Sequence, residues 1–246
     1  MSEKTTVDHW DGAWSKRPRP RLPKGFDVGT RNVQRLLRRH VKPGMNFLEI
    51  GCAPGKMMSW VNKILGANIS GIDYSPRGAG VAKWLLDTMG IAADIRCESI
   101  FETTFSPESF DVVYSYGLIE HFDDPRDIVA AHVNLLRKGG VALIIIPNYG
   151  GIYGKLQQWF DPGNLLIHNL DIMNEAALRR LAPPVVPAKI KTYSAGCFSP
   201  WQVSWARRWG RIGSVFAMAL NAVALLQPVE MRALCPLLVL EIYRTA

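Results

Sequence analysis

Between residues 46 and 147 the apolar positions of the 246-residue chain follow two alternating patterns. Short runs of consecutive apolar residues are typical of parallel strands buried on both faces. Longer segments, in which apolar residues recur every three or four positions, predict amphipathic helices. The predicted strands are 46–51, 68–74, 93–97, 110–115 and 141–147, and the predicted helices are 56–65, 77–89 and 125–137.

The pattern changes after residue 147. Residues 148–170 are rich in Tyr, Trp, Gly and Asn and predict an irregular insertion. A helix is expected next, and then a sixth strand, one or two further helices and a last strand. These elements are predicted at 171–181, 189–194, 200–227 and 237–243. Alternating strands and helices favour an α/β fold with a doubly wound sheet.

The N-terminal segment 1–26 is polar and rich in proline, and the proline spacing predicts no regular helix. It carries Trp10, Trp14 and the basic run 16–21. Two interpretations stay open: a solvated basic arm, or a lid whose tryptophans fold over a ligand. Apolar spacing predicts an amphipathic helix at 28–40. We therefore expect an N-terminal arm and lid helix at 1–40 and one α/β domain at 41–246.

Composition narrows the class of protein without deciding it. The formal net charge is +8 and 48% of the residues are hydrophobic, which favours a globular protein that could meet acidic partners. The polar N-terminus has no apolar signal core, and the four cysteines form no CxxC pair. These features predict a cytoplasmic protein with reduced thiols. The longest apolar run, 213–226, is too short to span a bilayer and predicts a buried or interfacial helix.

A glycine turn, within 47–56, joins the first predicted strand to the first predicted helix. A P-loop has the pattern GxxxxGK[ST], but Gly51 and Gly55 are one residue too close and Lys56 is not followed by Ser or Thr. A dinucleotide fingerprint has the pattern GxGxxG, which fits poorly because Ala53 stands at the middle position. Nucleoside triphosphates and NAD are therefore not favoured.

An acid on the first strand, a glycine turn and an acid that ends the second strand about 20 residues on fit a site for S-adenosylmethionine. Glu49, Gly51, Gly55 and Asp73 have this spacing. With these four residues the chain resembles the class I S-adenosylmethionine-dependent methyltransferases. Within that class it is similar to the small-molecule group that includes ubiquinone-pathway O-methyltransferases. The blocks that carry the resemblance are 48–55, 71–75, 98–99, 110–113, 119–121 and 135–140. The chain departs from the family pattern at Ala53, commonly Gly, and at Glu98, commonly Asp.

The resemblance implies a Rossmann-like sheet of seven strands, mostly parallel with an antiparallel last strand. An insertion would follow strand 5, and extra helices would precede the last strand. The segments 148–170 and 198–230 would then form the acceptor side of the domain.

The resemblance also implies the cofactor, S-adenosyl-L-methionine, and the residues that bind it. Asp73 would accept hydrogen bonds from both ribose hydroxyls, and Glu98 one from the adenine amino group. Glu49 would orient the methionine amino end, near the backbone of Gly51 and Gly55. Purely structural roles as caps, turns or surface acids stay open for these residues. The predicted cofactor-binding residues are Glu49, Gly51, Cys52, Ala53, Gly55, Asp73, Tyr74, Glu98, Ser99, Ser115 and Tyr116.

Methyl transfer is an in-line displacement in which the cofactor supplies the leaving group, so the protein mainly positions the acceptor. A hydroxyl acceptor also needs a base. We predict His121, which follows the fourth strand, as the first candidate and His168, in the insertion, as the second. Either histidine could instead only shape its loop. No metal site is predicted, and convergence of His168 with Asp161 and Asp171 is a weak alternative.

Residues 115–118 lack the Asn/Asp-Pro-Pro-aromatic block of nucleic-acid amino-methyltransferases, and no cysteine lies where a cytosine-C5 enzyme needs one. Nucleic acid is therefore not favoured as a partner, despite the basic arm. The aromatic insertion could enclose an apolar or aromatic small molecule. The segment 201–227 could also rest on a membrane surface.

The sequence thus predicts an S-adenosylmethionine-dependent methyltransferase that modifies a small organic acceptor, at a hydroxyl oxygen. Two alternatives stay open: an RNA methyltransferase that uses the basic arm, and an inert cofactor-binding subunit that supports a partner. The sequence does not predict the oligomeric state.

Overall fold

A computed structural model describes residues 3–184, 188–227 and 229–245 of the chain. Its centre is one seven-stranded sheet in the order β3-β2-β1-β4-β5-β7-β6. The strands are β1 Asn46–Ile50, β2 Asn68–Asp73, β3 Asp94–Cys97, β4 Phe110–Tyr116, β5 Leu136–Pro147, β6 Ala188–Ala195 and β7 Leu237–Arg244. The first five strands are parallel, and β7 lies antiparallel between β5 and β6. The predicted Rossmann-like sheet with an antiparallel last strand is confirmed.

Nine α-helices occur among the described residues. They are α1 Val7–Ala13, α2 Val28–His40, α3 Lys56–Trp60, α4 Pro76–Thr88, α5 Arg126–Asn134, α6 Ile152–Phe160, α7 Pro162–Leu166, α8 Glu175–Arg179 and α9 Trp205–Leu225. A π-helical turn, Val61–Leu65, continues α3. None of the helices within the described ranges is both long and apolar enough to cross a membrane.

The two faces of the sheet are covered by different helices, because successive strand residues point to opposite sides. Phe47 and Tyr114 pack toward the face that α2, α3 and α4 cover. Leu48 and Val113 pack toward the face that α5 and α8 cover. The sheet is buried on both faces, which explains the uninterrupted apolar runs of β4 and β5. The carboxyl ends of β1, β2 and β4 meet at one edge, where ligands of such sheets bind.

Two predictions of irregular structure are wrong. Residues 148–170 contain α6 and α7, because Tyr153 and Phe160 are buried against Val203 and Trp205 and hold the segment in helical form. The N-terminal segment contains α1, which ends before the prolines begin and is capped by a hydrogen bond from the His9 N–H to the side chain of Thr6.

Several predicted boundaries also shift. The helix expected at 125–137 ends at Asn134, because Leu136 already pairs with Phe110 at the start of β5. The helix expected at 171–181 divides into a 3₁₀ turn, Leu170–Ile172, and α8. The segment 200–227 forms a 3₁₀ turn, Pro200–Gln202, and α9, which bends at Gly210. The division at residues 40 and 41 stays a prediction.

Candidate active site

The glycine turn follows β1 and approaches the N-terminus of α3. Gly51 and Gly55 have φ values of 72° and 83°, in the left-handed region that glycine adopts most readily. A Cβ atom at Gly55 would also lie 3.2 Å from the backbone of Ala82 in α4. The turn is therefore compact, and Gly51 is its exposed residue at the edge of the sheet.

Asp73 ends β2 beside this turn, and its side chain is buried. Oδ2 accepts a hydrogen bond from the Ala53 N–H at 3.0 Å, and Oδ1 accepts one from the Ser75 N–H at 3.0 Å. Each carboxylate oxygen has two lone pairs, so each can accept one more hydrogen bond from a ligand. Burial raises the pKa of Asp73 above its ordinary value. The predicted acid is thus held rigidly with acceptor capacity to spare.

Above the turn and Asp73 lies a cavity of about 420 Å³, which we call the first cavity. Its walls include Ile100, Phe101 and Phe122, an apolar group that the sequence analysis missed because these residues carry no motif. The predicted residues that line the first cavity are Gly51, Ala53, Asp73, Tyr74, Glu98, Ser99, Tyr116 and His121. A buried acid with free acceptor positions beside apolar walls suits a nucleoside.

Glu98 and Ser99 reach the cavity wall with most of their polar atoms already bonded. Glu98 Oε1 accepts from the Thr104 N–H at 3.1 Å and from the Thr103 hydroxyl, and Oε2 accepts from the Thr104 hydroxyl at 2.9 Å. Although burial opposes ionisation, these hydrogen bonds hold the pKa of Glu98 below its ordinary value. The Ser99 hydroxyl accepts from the Phe101 N–H. Glu98 Oε2 therefore has the freer acceptor position for an adenine amino group.

The N-terminal arm covers the first cavity. Thr5, Trp10 and Trp14 line it, and the Trp10 ring lies edge-on to the His121 ring with centroids 5.1 Å apart. Asp11 fastens the arm to α4 by accepting hydrogen bonds from the Ser75 hydroxyl and from the Arg77 N–H. The basic end of the arm is exposed at residues 16, 17 and 19–21. The arm thus combines a tryptophan cover with a solvated basic stretch.

Glu49 faces a second cavity of about 280 Å³ on the other side of the glycine turn. Its side chain is buried, and Oε2 has no hydrogen-bond partner among the described residues. Burial, assisted by the charge of Asp73, raises the pKa of Glu49 to about 8. An unpartnered buried carboxyl oxygen is costly, and a cationic amino group placed beside it would satisfy it.

Tyr116 lines both cavities, together with Ala53 and Pro54, so the two spaces meet beside the glycine turn. Burial raises the pKa of Tyr74, on the wall of the first cavity, to about 12. The structure does not bring every predicted side chain to this place. Ser115 points to the opposite face of the sheet, where its hydroxyl lies 3.0 Å from His132 Nε2.

Cys52 contributes backbone rather than a reactive thiol. Its side chain is 1% exposed, and its Sγ lies where a Cβ atom on Gly71 would come within 2.8 Å. Burial, together with the nearby acids Asp73 and Glu49, raises the pKa of the thiol well above its ordinary value. Cys52 borders the second cavity, not the first.

His121 lies in a 3₁₀ turn, Ile119–His121, directly after β4. Its Nδ1 is 2.8 Å from the carbonyl oxygen of Ile167, which can only accept, so Nδ1 carries the proton and Nε2 keeps a lone pair. Burial and the neighbouring His168 lower the pKa of His121 to about 4. The imidazole is therefore neutral at physiological pH, and its Nε2 lone pair is left as a hydrogen-bond acceptor.

His168 lies beside His121, with ring centroids 4.9 Å apart. Its Nδ1 is 2.6 Å from the carbonyl oxygen of Asn164, so its Nε2 also keeps a lone pair. Both carboxyl oxygens of the buried Glu120 lack partners among the described residues, and burial raises the pKa of Glu120 to about 8.

Glu120, His121 and His168 each offer a ligand atom, and these atoms lie within 4.8 Å of one another. Histidines that ligate metals commonly donate their other ring N–H to a carbonyl, as both do here. The three residues could hold a metal ion, a group that the sequence analysis did not foresee. The weak alternative of His168 with Asp161 and Asp171 is not the group that the described residues bring together.

These features fit S-adenosylmethionine. Asp73 would hold the ribose, Ile100 and Phe101 would flank the base, and the unpartnered oxygen of Glu49 would accept from the methionine ammonium. The backbone of the glycine turn would lie between them.

The chain is similar to known proteins in part of its sequence and in its fold. The family described as Methyltransferase domain matches residues 48–144. The ubiquinone biosynthesis O-methyltransferase of Cereibacter sphaeroides is 35% identical over 100 residues, which are 41% of this chain and 40% of that relative. The chain therefore matches about two fifths of the length of the relative.

Two solved structures share the fold. The plantazolicin methyltransferase BpumL, in complex with SAH, has a TM-score of 0.57 at 18% identity over 90% of this chain and 83% of its own. The [4+2]-cyclase SpnF has a TM-score of 0.58 at 15% identity over 87% of this chain and 81% of its own.

The chain has the fold of the class I S-adenosylmethionine-dependent methyltransferases. Within it, residues 48–144 match the family described as Methyltransferase domain. The predicted class is thereby confirmed, and S-adenosyl-L-methionine is the cofactor of that class.

Proposed function

We propose that this protein transfers a methyl group from S-adenosylmethionine to a hydroxyl oxygen of a small apolar or aromatic molecule. The observation that carries the proposal is His121, a neutral imidazole on the wall of the first cavity with a free lone pair on Nε2. A base is needed for a hydroxyl acceptor, because the oxygen must lose its proton as it forms the new bond.

The residues of the site have different roles in the proposed reaction. When bound, the cofactor supplies an electrophilic methyl group and a neutral thioether as leaving group. Asp73 and Glu49 orient its two ends, and His121 Nε2 accepts the proton of the acceptor hydroxyl. Trp10 and Trp14 exclude water from the first cavity, which strengthens the electrostatic contacts inside it.

The second cavity supports the entry of an apolar or aromatic acceptor, which would meet the methyl group and His121 where the two cavities join beside Tyr116. Tyr116, Trp201 and Leu237 supply apolar wall, while Asp27 and Thr30 supply polar groups that could fix one orientation. The name of the curated relative, an O-methyltransferase, supports oxygen as the methylated atom.

Two alternatives remain hypotheses. An RNA methyltransferase would use the basic end of the arm, residues 16–21, to bind phosphates. An inert cofactor-binding subunit would bind S-adenosylmethionine without a reaction of its own, and the cyclase SpnF illustrates that this fold alone does not define a reaction.

The test uses methyl-labelled S-adenosylmethionine with a cell extract, separated afterwards into solvent-extractable molecules, RNA and protein. We expect label in the extractable fraction, with an oxygen-linked methyl group in the isolated product, and loss of that label with Asp73→Ala. Label in RNA would contradict the proposal and support the first alternative. Cofactor binding without label in any fraction would support the second.

A further inference from the structure

Beyond its bend at Gly210, helix α9 buries small residues against the protein and turns large apolar residues outward. Gly213, Ala217 and Ala224 are buried, whereas Ile212 is 75% exposed and Val223 is 67% exposed. The outward residues, which we call the apolar stripe, are Ile212, Val215, Phe216, Met218, Val223 and Leu226. An amphipathic helix of a water-soluble surface has the reverse arrangement, so the stripe indicates a binding surface.

Basic residues predominate beside the stripe. No Asp or Glu occurs in the sequence between Glu175 and Glu230, and Arg207, Arg208 and Arg211 lie at the N-terminal end of α9. Arg207 lies 4.0 Å from Asp161, the acidic group paired with this cluster. Gly210, with φ 55° and ψ −132°, bends the helix between Arg208 and the stripe. An uncharged apolar face beside arginines is the pattern of helices that lie in the interface of anionic membranes.

Tryptophans border the stripe. Trp209 is partly exposed, and its ring packs against Phe216 of the stripe, with centroids 5.6 Å apart, and against Trp159, with centroids 5.8 Å apart. The Arg208 guanidinium lies 4.6 Å from the centre of the Trp159 ring. Tryptophan is enriched where proteins meet the headgroup level of a bilayer, because its ring is apolar and its N–H is polar.

Hydrogen bonds of Asn221 connect α9 to the rim of the second cavity. Asn221 of α9 accepts a hydrogen bond from Trp201 Nε1 at 3.0 Å, and Trp201 lines that cavity. The Asn221 amide donates to the carbonyl oxygen of Phe26 at 2.7 Å, and the Phe26 side chain is 74% exposed. The exposed apolar surface thus continues from α9 to the rim of the cavity.

We propose that the apolar stripe and the arginines of α9 dock this protein on the surface of an anionic lipid membrane. The acceptor then enters the second cavity past Trp201 from the membrane, an extension that rests on the proposed function, whereas the docking does not. Anionic headgroups complement Arg207, Arg208 and Arg211, and the stripe lies at the depth of the acyl boundary. Self-association through the stripe is less favourable, because a second copy of this basic chain would bring like charges together.

The experiment is sedimentation of the purified full chain with vesicles of phosphatidylcholine, with and without phosphatidylglycerol. We expect binding to the anionic vesicles that weakens as salt is added. The affinity of the double variant Ile212→Glu, Val223→Glu for these vesicles should fall by about tenfold or more, because the variant places two carboxylates at the acyl boundary. Ile64→Glu, at an exposed apolar position outside α9, is the matched control and should bind like the wild type.

A second pair of variants separates the arginines of α9 from the basic arm. Changing Arg207, Arg208 and Arg211 to Gln should weaken binding to anionic vesicles strongly. The same change at Arg17, Arg19 and Arg21 removes equal charge and should weaken it much less. The proposal is overturned if the wild type ignores anionic vesicles, or if the Ile212→Glu, Val223→Glu variant binds them equally well. It is also overturned if that variant only dissociates a dimer, which would make the stripe a self-interface.

The controls keep this result apart from the proposed function. S-adenosylmethionine affinity and methyl transfer in vesicle-free solution are measured for the same variants, and both should be unchanged because no stripe residue lines either cavity. Methyl transfer to a lipid-extracted acceptor should then rise when anionic vesicles are present. Failure of transfer with intact vesicle binding would reject the proposed function alone.

Discussion

The imidazole rings of His121 and His168 lie 4.9 Å apart, although the first follows β4 and the second follows α7. Each ring is held by a backbone carbonyl at Nδ1, so both Nε2 atoms are left as acceptors. The pair combines the two predicted bases in one place, and only His121 lines the first cavity. His121 is thus the nearer base for a proton released there.

Replacing His121 by Ala should lower kcat by about 10²- to 10⁴-fold, the usual contribution of a positioned base. The KM for S-adenosylmethionine should change little, because the proposed cofactor contacts at Asp73 and Glu49 stay in place. Steady-state kinetics measure both constants. His9→Ala is the matched control, since His9 is an exposed histidine beside the same tryptophan, Trp10. Equal kcat values for His121→Ala and the wild type would remove His121 as the base.

Zinc ions should inhibit methyl transfer, because Glu120, His121 and His168 could hold the ion and His121 Nε2 would then be unable to accept a proton. Added chelator should restore the rate. His168→Ala should make the enzyme less sensitive to zinc while leaving it active. The opposite result, activity that chelators abolish and divalent ions restore, would assign these residues to a metal centre and contradict the role of His121 as base.

Replacing Glu49 by Gln should stabilise the ligand-free protein and weaken cofactor binding. The pKa of Glu49 is raised to about 8, whereas an unfolded glutamate has a pKa of about 4.3. Between these pH values the folded state keeps a proton that the unfolded state has lost, so the contribution of this group to stability falls as pH rises. We expect a gain of about 1–2 kcal/mol in the free energy of unfolding near pH 8.

Thermal unfolding of Glu49→Gln from pH 5 to pH 9 tests this expectation. The gain over the wild type should be small at pH 5 and largest above pH 8. Titration calorimetry should show weaker binding of S-adenosylmethionine at every pH in this range. A variant that is less stable at pH 8 yet binds the cofactor normally would show that Glu49 is a structural strand-end acid.

Glu241 of β7 should respond to pH in the opposite sense. Burial opposes its ionisation, but hydrogen bonds from His40, Tyr193 and Tyr243 outweigh burial and lower the pKa of Glu241 to about 2. The stability from this network is therefore present above about pH 4 and is lost as pH falls toward 2. Glu241→Gln should cost about 1–3 kcal/mol in the free energy of unfolding at pH 7.

Urea unfolding at pH 7 and at pH 3 checks that value. The difference between Glu241→Gln and the wild type should be smaller at pH 3. Asp87→Asn breaks the exposed pair with Lys83 and serves as control, with an expected effect of about 0.5 kcal/mol or less. If Glu241→Gln matched this control, the buried network would not contribute to stability.

The sequence predicts the parts of the site that are local in the chain. The glycine turn and Asp73 belong to one strand-turn-helix-strand unit, whose geometry follows from hydrophobic periodicity and glycine chemistry. The apolar walls at Ile100 and Phe101, and the approach of His168 to Glu120, depend on contacts between distant segments. Such contacts leave no pattern in a single sequence.

The misplaced predictions have the same physical origin. Residues 148–170 contain glycine and aromatic residues that disfavour regular structure, but burial of Tyr153 and Phe160 stabilises helices there. The sequence predicts the same role for Ser115 and Tyr116 because both end β4, yet alternate strand residues face opposite sides of a sheet. Tyr116 consequently reaches the cavities, and Ser115 reaches His132 instead.

The most direct test of the central claim, that the first cavity binds S-adenosylmethionine through Asp73, is titration calorimetry with the purified chain. We expect one cofactor per chain, and binding weaker by about 100-fold or more for Asp73→Ala, because two ribose hydroxyls lose their acceptor. Asp94→Ala, in the exposed pair with Arg96 on the neighbouring strand, should bind like the wild type. Equal affinity of Asp73→Ala and the wild type would contradict the claim.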